Sequence, residues 1–194
     1  MNYLAHVYLS GSDNELCIGN FIADHVKGKA YLNYPEGIQA GILLHRKIDH
    51  FTDNHQLFKK NVSLLFPQYR HYSRVIVDMF FDHLLAAQWK KYHPDSLEDF
   101  SHQFYSLMKR YEGHLPEKVK KMIPIISHHN WFLNYQTFDG LEKILFQMSQ
   151  RIQFPCNMSL AITELKENYH EIISDFNTFF VEIKDFVFLE KQKS

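Results

Sequence analysis

Residues 74–89 read Arg74-Val-Ile-Val-Asp78-Met-Phe-Phe-Asp82-His83-Leu-Leu-Ala-Ala-Gln-Trp89. Apolar side chains fall on nearly every face at helical spacing, which predicts a central helix buried on all sides. Asp78 and Asp82 nevertheless stand four apart and share one face, which continues into Leu85 and Trp89. Like charges at that spacing repel, and a desolvated carboxylate costs several kcal/mol unless it is paired. A cation, an arginine or a shared proton must compensate, and a divalent metal is the most economical of these.

Working outward, helical spacing recurs between sparse breakers, with 7 Gly and 6 Pro in 194 residues. No stretch alternates in the manner of a strand. The expected helices are Asn2–Leu9, Glu15–Lys27 stopped by Gly28, and one opening at Pro35 and running to about Phe51. A fourth is capped by Asp53 and ended by Pro67, and the central helix covers Ser73–Tyr92. The segment from Ser96, with Asp99 in a capping-box position, runs to near Gly113. Glu117–Ser127, Phe138–Arg151 and a long Ser159–Glu190 complete the set. This predicts one all-α domain of eight or nine helices. The charge is near neutral, 21 basic against 22 acidic residues, which argues against a nucleic-acid binder. No apolar run is long enough for a bilayer and no signal peptide is evident. Cys17 and Cys156 form neither a disulfide framework nor a zinc site, so a cytoplasmic protein is expected.

The 13 His residues ask for an explanation. In Gly37 to Asp49, His45 and Asp49 are four apart on one face, and Gly37 and Gly41 would let another backbone approach there. Asn20 and Asp24 share that spacing in the second helix, and His6 lies in the opening segment. Taken singly, each has an ordinary explanation: a solvated acidic pair, a hydrogen-bonded core histidine, a helix-end acid paired with Lys27. Recurrence in four segments favours a metal centre built on facing helices, with carboxylates suited to Mg²⁺ or Mn²⁺ and imidazole acceptable to Mn²⁺ and softer ions.

Met1-Asn-Tyr-Leu-Ala-His6, Gly19-Asn-Phe-Ile-Ala-Asp24-His25-Val-Lys-Gly28, Gly41 through His45-Arg46-Lys-Ile-Asp49-His-Phe-Thr-Asp53, and Asp78-Met-Phe-Phe-Asp82-His83 together resemble the bacterial acyl carrier protein phosphodiesterase family. The resemblance implies an all-helical fold related to the His-Asp metal-dependent phosphohydrolases, although this chain has Asp-His dipeptides and no His-Asp. It also implies hydrolysis of holo-acyl carrier protein to the apo form and 4′-phosphopantetheine, with Mn²⁺ or Mg²⁺ as cofactor. His6, Asp24, His45, Asp49, Asp78 and Asp82 are then candidates for the metal shell and its supports. Arg46 is the candidate for holding the phosphate, and His83 or His25 for protonating the leaving serine oxygen. An acidic carrier protein would dock on basic residues, for which Lys27, Lys29, Lys59, Lys60, Arg70 and Arg74 are available. The competing readings are a phosphohydrolase of nucleotides or other small phosphoesters, and a non-enzymatic helical metal-binding module. An oxidative di-metal bundle is disfavoured, because no pair of Glu-x-x-His motifs is present.

Overall fold

The computed structural model describes residues 2–150, 152 and 156–193. Among them are twelve α-helices, five short 3-10 turns and no strand, so the chain is all-α as expected. The helices are α1 (Tyr3–Ser10), α2 (Asn14–Ile22), α3 (Glu36–Asn54), α4 (Gln56–Tyr69), α5 (Ser73–Ala87), α6 (Trp89–Tyr92), α7 (Leu97–Arg110), α8 (Glu117–His128), α9 (Trp131–Asn134), α10 (Phe138–Ser149), α11 (Ala161–Glu167) and α12 (Tyr169–Gln192). None is long and apolar enough to cross a membrane.

The number exceeds eight or nine for local reasons. The chain bends at Gln88, which separates α5 from α6 and lets the buried Trp89 donate its indole N–H to Asp95 O at 2.9 Å. Asn168 splits the expected C-terminal helix: its side-chain amide bonds back to Glu164 O at 2.9 Å, competing with the helical ladder. A third extra helix, α9, forms within the aromatic segment after Asn130. Pro67 does not end α4 but lies in its last turn, where a missing N–H removes a single bond. Asp53 does not cap α4 either: α3 runs on to Asn54, His55 accepts from Leu57 N, and Asp53 pairs with Arg74. The Ser96 cap is present, its hydroxyl accepting from Asp99 N at 3.0 Å. α10 ends at Ser149, and Arg151, its expected end, lies outside the described residues.

α5 is the central helix. Ile76, Val77, Phe80, Phe81, Leu84 and Leu85 are all buried, and the helix touches α1, α4, α10 and α12. Phe81 packs against Phe58 of α4 and against Phe176 and Phe179 of α12. Each such ring contributes about 2–3 kcal/mol of burial, so the interior needs no strand to hold it.

α2 and α3 cross backbone to backbone. A Cβ on Gly19 would lie 2.1 Å from Ile38 O, and one on Gly41 2.3 Å from Leu16 O and 2.8 Å from Asn20 N. The close approach expected at Gly41 is there, with Gly19 as its counterpart. Gly37 instead faces the side chain of Glu15. With α1 packed on both helices, this crossing brings three segments carrying His or Asp to one place.

Candidate metal centre

His6, His45 and Asp49 converge so that one donor atom from each lies within 4.8 Å of the others. His6 Nε2 is 3.2 Å from Asp49 Oδ1, and His45 Nε2 is 3.0 Å from Asp49 Oδ2. Asp24, in the 3-10 turn after α2, places Oδ1 3.3 Å from His45 Nε2. The imidazoles are buried, while the Asp24 and Asp49 side chains are 59% and 41% exposed, so the group opens to solvent on its carboxylate side.

The far sides of both rings are fixed by one residue. Asn20, fully buried on α2, accepts from His6 Nδ1 through its side-chain oxygen at 2.8 Å and from His45 Nδ1 through its main-chain oxygen at 2.8 Å. Its amide nitrogen faces His6 O and Ser10 Oγ, both at 2.9 Å. Since a carbonyl only accepts, the Asn20 amide nitrogen must point at His6 O, and its oxygen must then face His6 Nδ1. Both imidazoles therefore carry their hydrogen on Nδ1 and turn an Nε2 lone pair toward carboxylates. Lone pairs facing anions at 3 Å need a cation between them.

A proton can fill part of that role. Burial alone would lower the His45 pKa, but hydrogen bonds to Asp24 and Asp49 outweigh it and hold it at about 9. Burial lowers His6 to about 4, and the charge on His45 adds to the effect. The two rings stack with centroids 3.9 Å apart, so both cannot carry charge together. Burial works against ionisation of Asp49, yet its bonds to the two histidines hold the carboxyl well below the usual range. The bond to His45 likewise lowers Asp24. One donor atom from each of His6, His45 and Asp49 lies close enough to the others for a divalent ion to take the proton's place. Neighbouring ligands about 2.1 Å from an ion at right angles lie about 3 Å apart, which is the spacing between each histidine and Asp49 here. A carbonyl behind each ligating histidine is the usual outer support of such centres.

Arg46, expected to hold phosphate, is engaged elsewhere. Its Nη2 donates to Val26 O at 3.0 Å and Gly28 O at 2.8 Å, and its guanidinium lies over the Tyr31 ring. It straps the turn that carries Asp24 onto α3. Asp82, expected in the metal shell, accepts from Leu4 N at 2.9 Å and Ala5 N at 3.2 Å. It caps the start of α1, completing what Asn2 begins at Tyr3 N, because Leu4 and Ala5 are fully buried and their N–H groups need a partner within the protein. Burial pushes its pKa up to about 7, against the Leu4 hydrogen bond. Asp82→Ala is expected to lower the unfolding free energy by about 2–3 kcal/mol and Asp82→Asn by about half as much, measured by urea unfolding. Asp78 is half-buried one turn earlier. Burial raises its pKa, and the charges of Asp49 and Asp53 add to the rise. His83 points away: Nδ1 is 2.7 Å from Tyr135 O and the ring packs on Phe138 and Tyr169. A role as general acid has no support in that placement. His25 is half-buried beside Asp24 in the same turn.

A family model described as acyl carrier protein phosphodiesterase matches residues 1–183. The chain belongs to the acyl carrier protein phosphodiesterase family. Curated relatives carrying that name include one from Photorhabdus laumondii, 29% identical over 93% of this chain and 89% of the relative. Another, from Yersinia pestis, is 28% identical over 93% and 94%, and one from Klebsiella pneumoniae strain 342 is 30% identical over 78% and 79%. No solved structure matches the chain, so the expected likeness to the His-Asp phosphohydrolases gains no support from a known fold. Membership of the acyl carrier protein phosphodiesterase family makes this a phosphodiester hydrolase, and the residues around Asn20 are where the geometry suits that chemistry. Asn20 itself was visible in the sequence only as Asp24's neighbour at helical spacing. Its double role needs α1, α2 and α3 assembled.

Proposed function

We propose that this protein hydrolyses holo-acyl carrier protein to apo-acyl carrier protein and 4′-phosphopantetheine, using a divalent ion, Mn²⁺ or Mg²⁺, held by His6, His45 and Asp49. The observation that carries the reading is the pair of Nε2 lone pairs locked toward Asp49 by Asn20, inside a chain of this family. The ion would supply Lewis acidity to a phosphoryl oxygen and acidify a water beside it. His6 and His45 stay neutral as ligands because Asn20 keeps their hydrogens on Nδ1. Asp24, ionised and on the open side, is placed to orient the attacking water and take its proton. Arg46 keeps Asp24 in place by anchoring the following turn. Lys27 and Lys29, exposed on that turn, present positive charge to an acidic carrier protein beside the reaction site. The cytoplasm is the proposed location, in keeping with two unpaired cysteines.

Incubating the purified protein with holo-carrier protein and Mn²⁺, and reading loss of the prosthetic group by mass, tests the activity. No loss of mass under conditions where Mn²⁺ binds would reject it. A pH signature tests the ligands. Below about pH 9 an incoming ion must displace the proton on His45. Mn²⁺ affinity is therefore expected to rise about tenfold per pH unit from neutrality and to level off near pH 9, with about one proton released per ion. Calorimetry in buffers of different ionisation enthalpy reads that proton, and a flat profile removes His45 from the centre.

A further inference from the structure

With a divalent ion in place, Asp24 and Asp49 balance its charge and the histidines are neutral. A phosphodiester then arrives with one negative charge, and more builds up on its oxygens as water attacks. Some other group must meet that charge. Arg46 is spent on Val26 O and Gly28 O, and Lys60 is held by Glu171 at 2.8 Å and Asp175 at 2.9 Å. Arg70 lies against the Phe66 ring at the end of α4.

Arg74 is placed differently. It stands in the first turn of α5, one turn before Asp78, and pairs with Asp53, one turn beyond Asp49 on α3. The Arg74–Asp53 pair thus bridges the two helices one turn along from Asp49 and Asp78, and like the Asp49 side chain it is exposed to solvent. Its side chains are 49% and 57% exposed, and an ion pair in that setting exchanges partners readily. A guanidinium fork offers two parallel N–H donors to two phosphate oxygens, which a lone lysine cannot do.

We infer that Arg74, released from Asp53, is the residue that binds the non-bridging oxygens of the phosphodiester, and that Asp53 holds it in readiness at the mouth of the centre. This rests on the reading under Proposed function, and the test separates the two. The probes are holo-carrier protein turnover with Mn²⁺, and inhibition of that turnover by inorganic phosphate. Arg74→Gln is expected to lower kcat/KM about 100-fold and weaken phosphate inhibition at least about tenfold. Its Mn²⁺ affinity without phosphate should stay within about twofold, because Arg74 touches no ligand. Arg74→Lys should recover part of the loss. Asp53→Asn breaks the same ion pair but leaves the guanidinium, so phosphate inhibition should hold or strengthen. Equal losses in Arg74→Gln and Asp53→Asn would show a merely structural pair and overturn the inference, as would unchanged phosphate inhibition in Arg74→Gln. If wild-type protein turns over no carrier protein, the functional reading fails. Arg74 is then judged by calorimetric binding of inorganic phosphate to the Mn²⁺-loaded protein, where loss in Arg74→Gln supports the anion site and no change rejects it.

Discussion

Replacing Asp49 with Ala is expected to lower Mn²⁺-dependent kcat/KM by at least about 1000-fold, equivalent to about 4 kcal/mol of transition-state stabilisation, while leaving the helical content unchanged. Asp49 is the carboxylate that touches both Nε2 atoms, at 3.2 Å and 3.0 Å. Without it two imidazoles remain, and two neutral donors hold a hard ion poorly. Mn²⁺ affinity should fall at least about 100-fold, read by titration with a paramagnetic or calorimetric signal. Asp49→Asn keeps the shape and loses the charge, so it should rank between wild type and Asp49→Ala in affinity. The metal-free protein supplies an independent check through pH. The folded pKa of His45, about 9, lies above its ordinary 6.5. Its stabilising contribution is therefore complete below about pH 6.5 and is lost as pH rises through 9. Removing Asp49 takes away one of the two carboxylates that cause the rise, so the loss should become smaller and occur at lower pH. Activity within tenfold of wild type in Asp49→Ala would end the assignment of this cluster as the metal centre.

The side chains that converge were legible because each interrupts an apolar helical pattern. His45 and Asp49 share a face at i, i+4, and His6 sits in a segment otherwise fit only for burial. The same logic placed Asp82 among the ligands, and there it met a different compensation. A sequence shows that a buried carboxylate needs a positive partner, but not that the start of α1 would end on α5 and offer two N–H groups. Arg46 is a parallel case. Its planar fork made it the candidate for the phosphate that the resemblance implies, whereas the chain reversal after Val26 leaves two carbonyls that need a donor. The helix breaks at Gln88 and Asn168 follow from local polar competition and from the path needed to bury Trp89. Periodicity averaged over many residues passes across such single positions. What local pattern specifies is which groups cannot be left alone in the interior, and the tertiary contacts decide which partner each receives.

Gly41 carries the second large effect, and it joins packing to chemistry. In Gly41→Ala the new Cβ would sit 2.3 Å from Leu16 O and 2.8 Å from both Asn20 N and Gly19 Cα. All three atoms are backbone, so no side-chain rotation relieves the clash, and α2 and α3 must part by about 1 Å. The expected cost is about 3 kcal/mol of unfolding free energy, a fall in Tm of about 6–12 °C for a chain of this size. The same displacement pulls Asn20 O away from His45 Nδ1, now at 2.8 Å, past the range of a useful hydrogen bond. Mn²⁺ affinity and turnover should therefore fall at temperatures where the variant is still folded, which an ordinary core defect remote from the centre would not cause. Gly113→Ala, with no atom within 4 Å of its new Cβ, is the matched control and should change stability by less than about 0.5 kcal/mol. If Gly41→Ala instead kept wild-type Mn²⁺ affinity, α2 could move without carrying Asn20 away from His45. The close helix crossing would then serve stability alone.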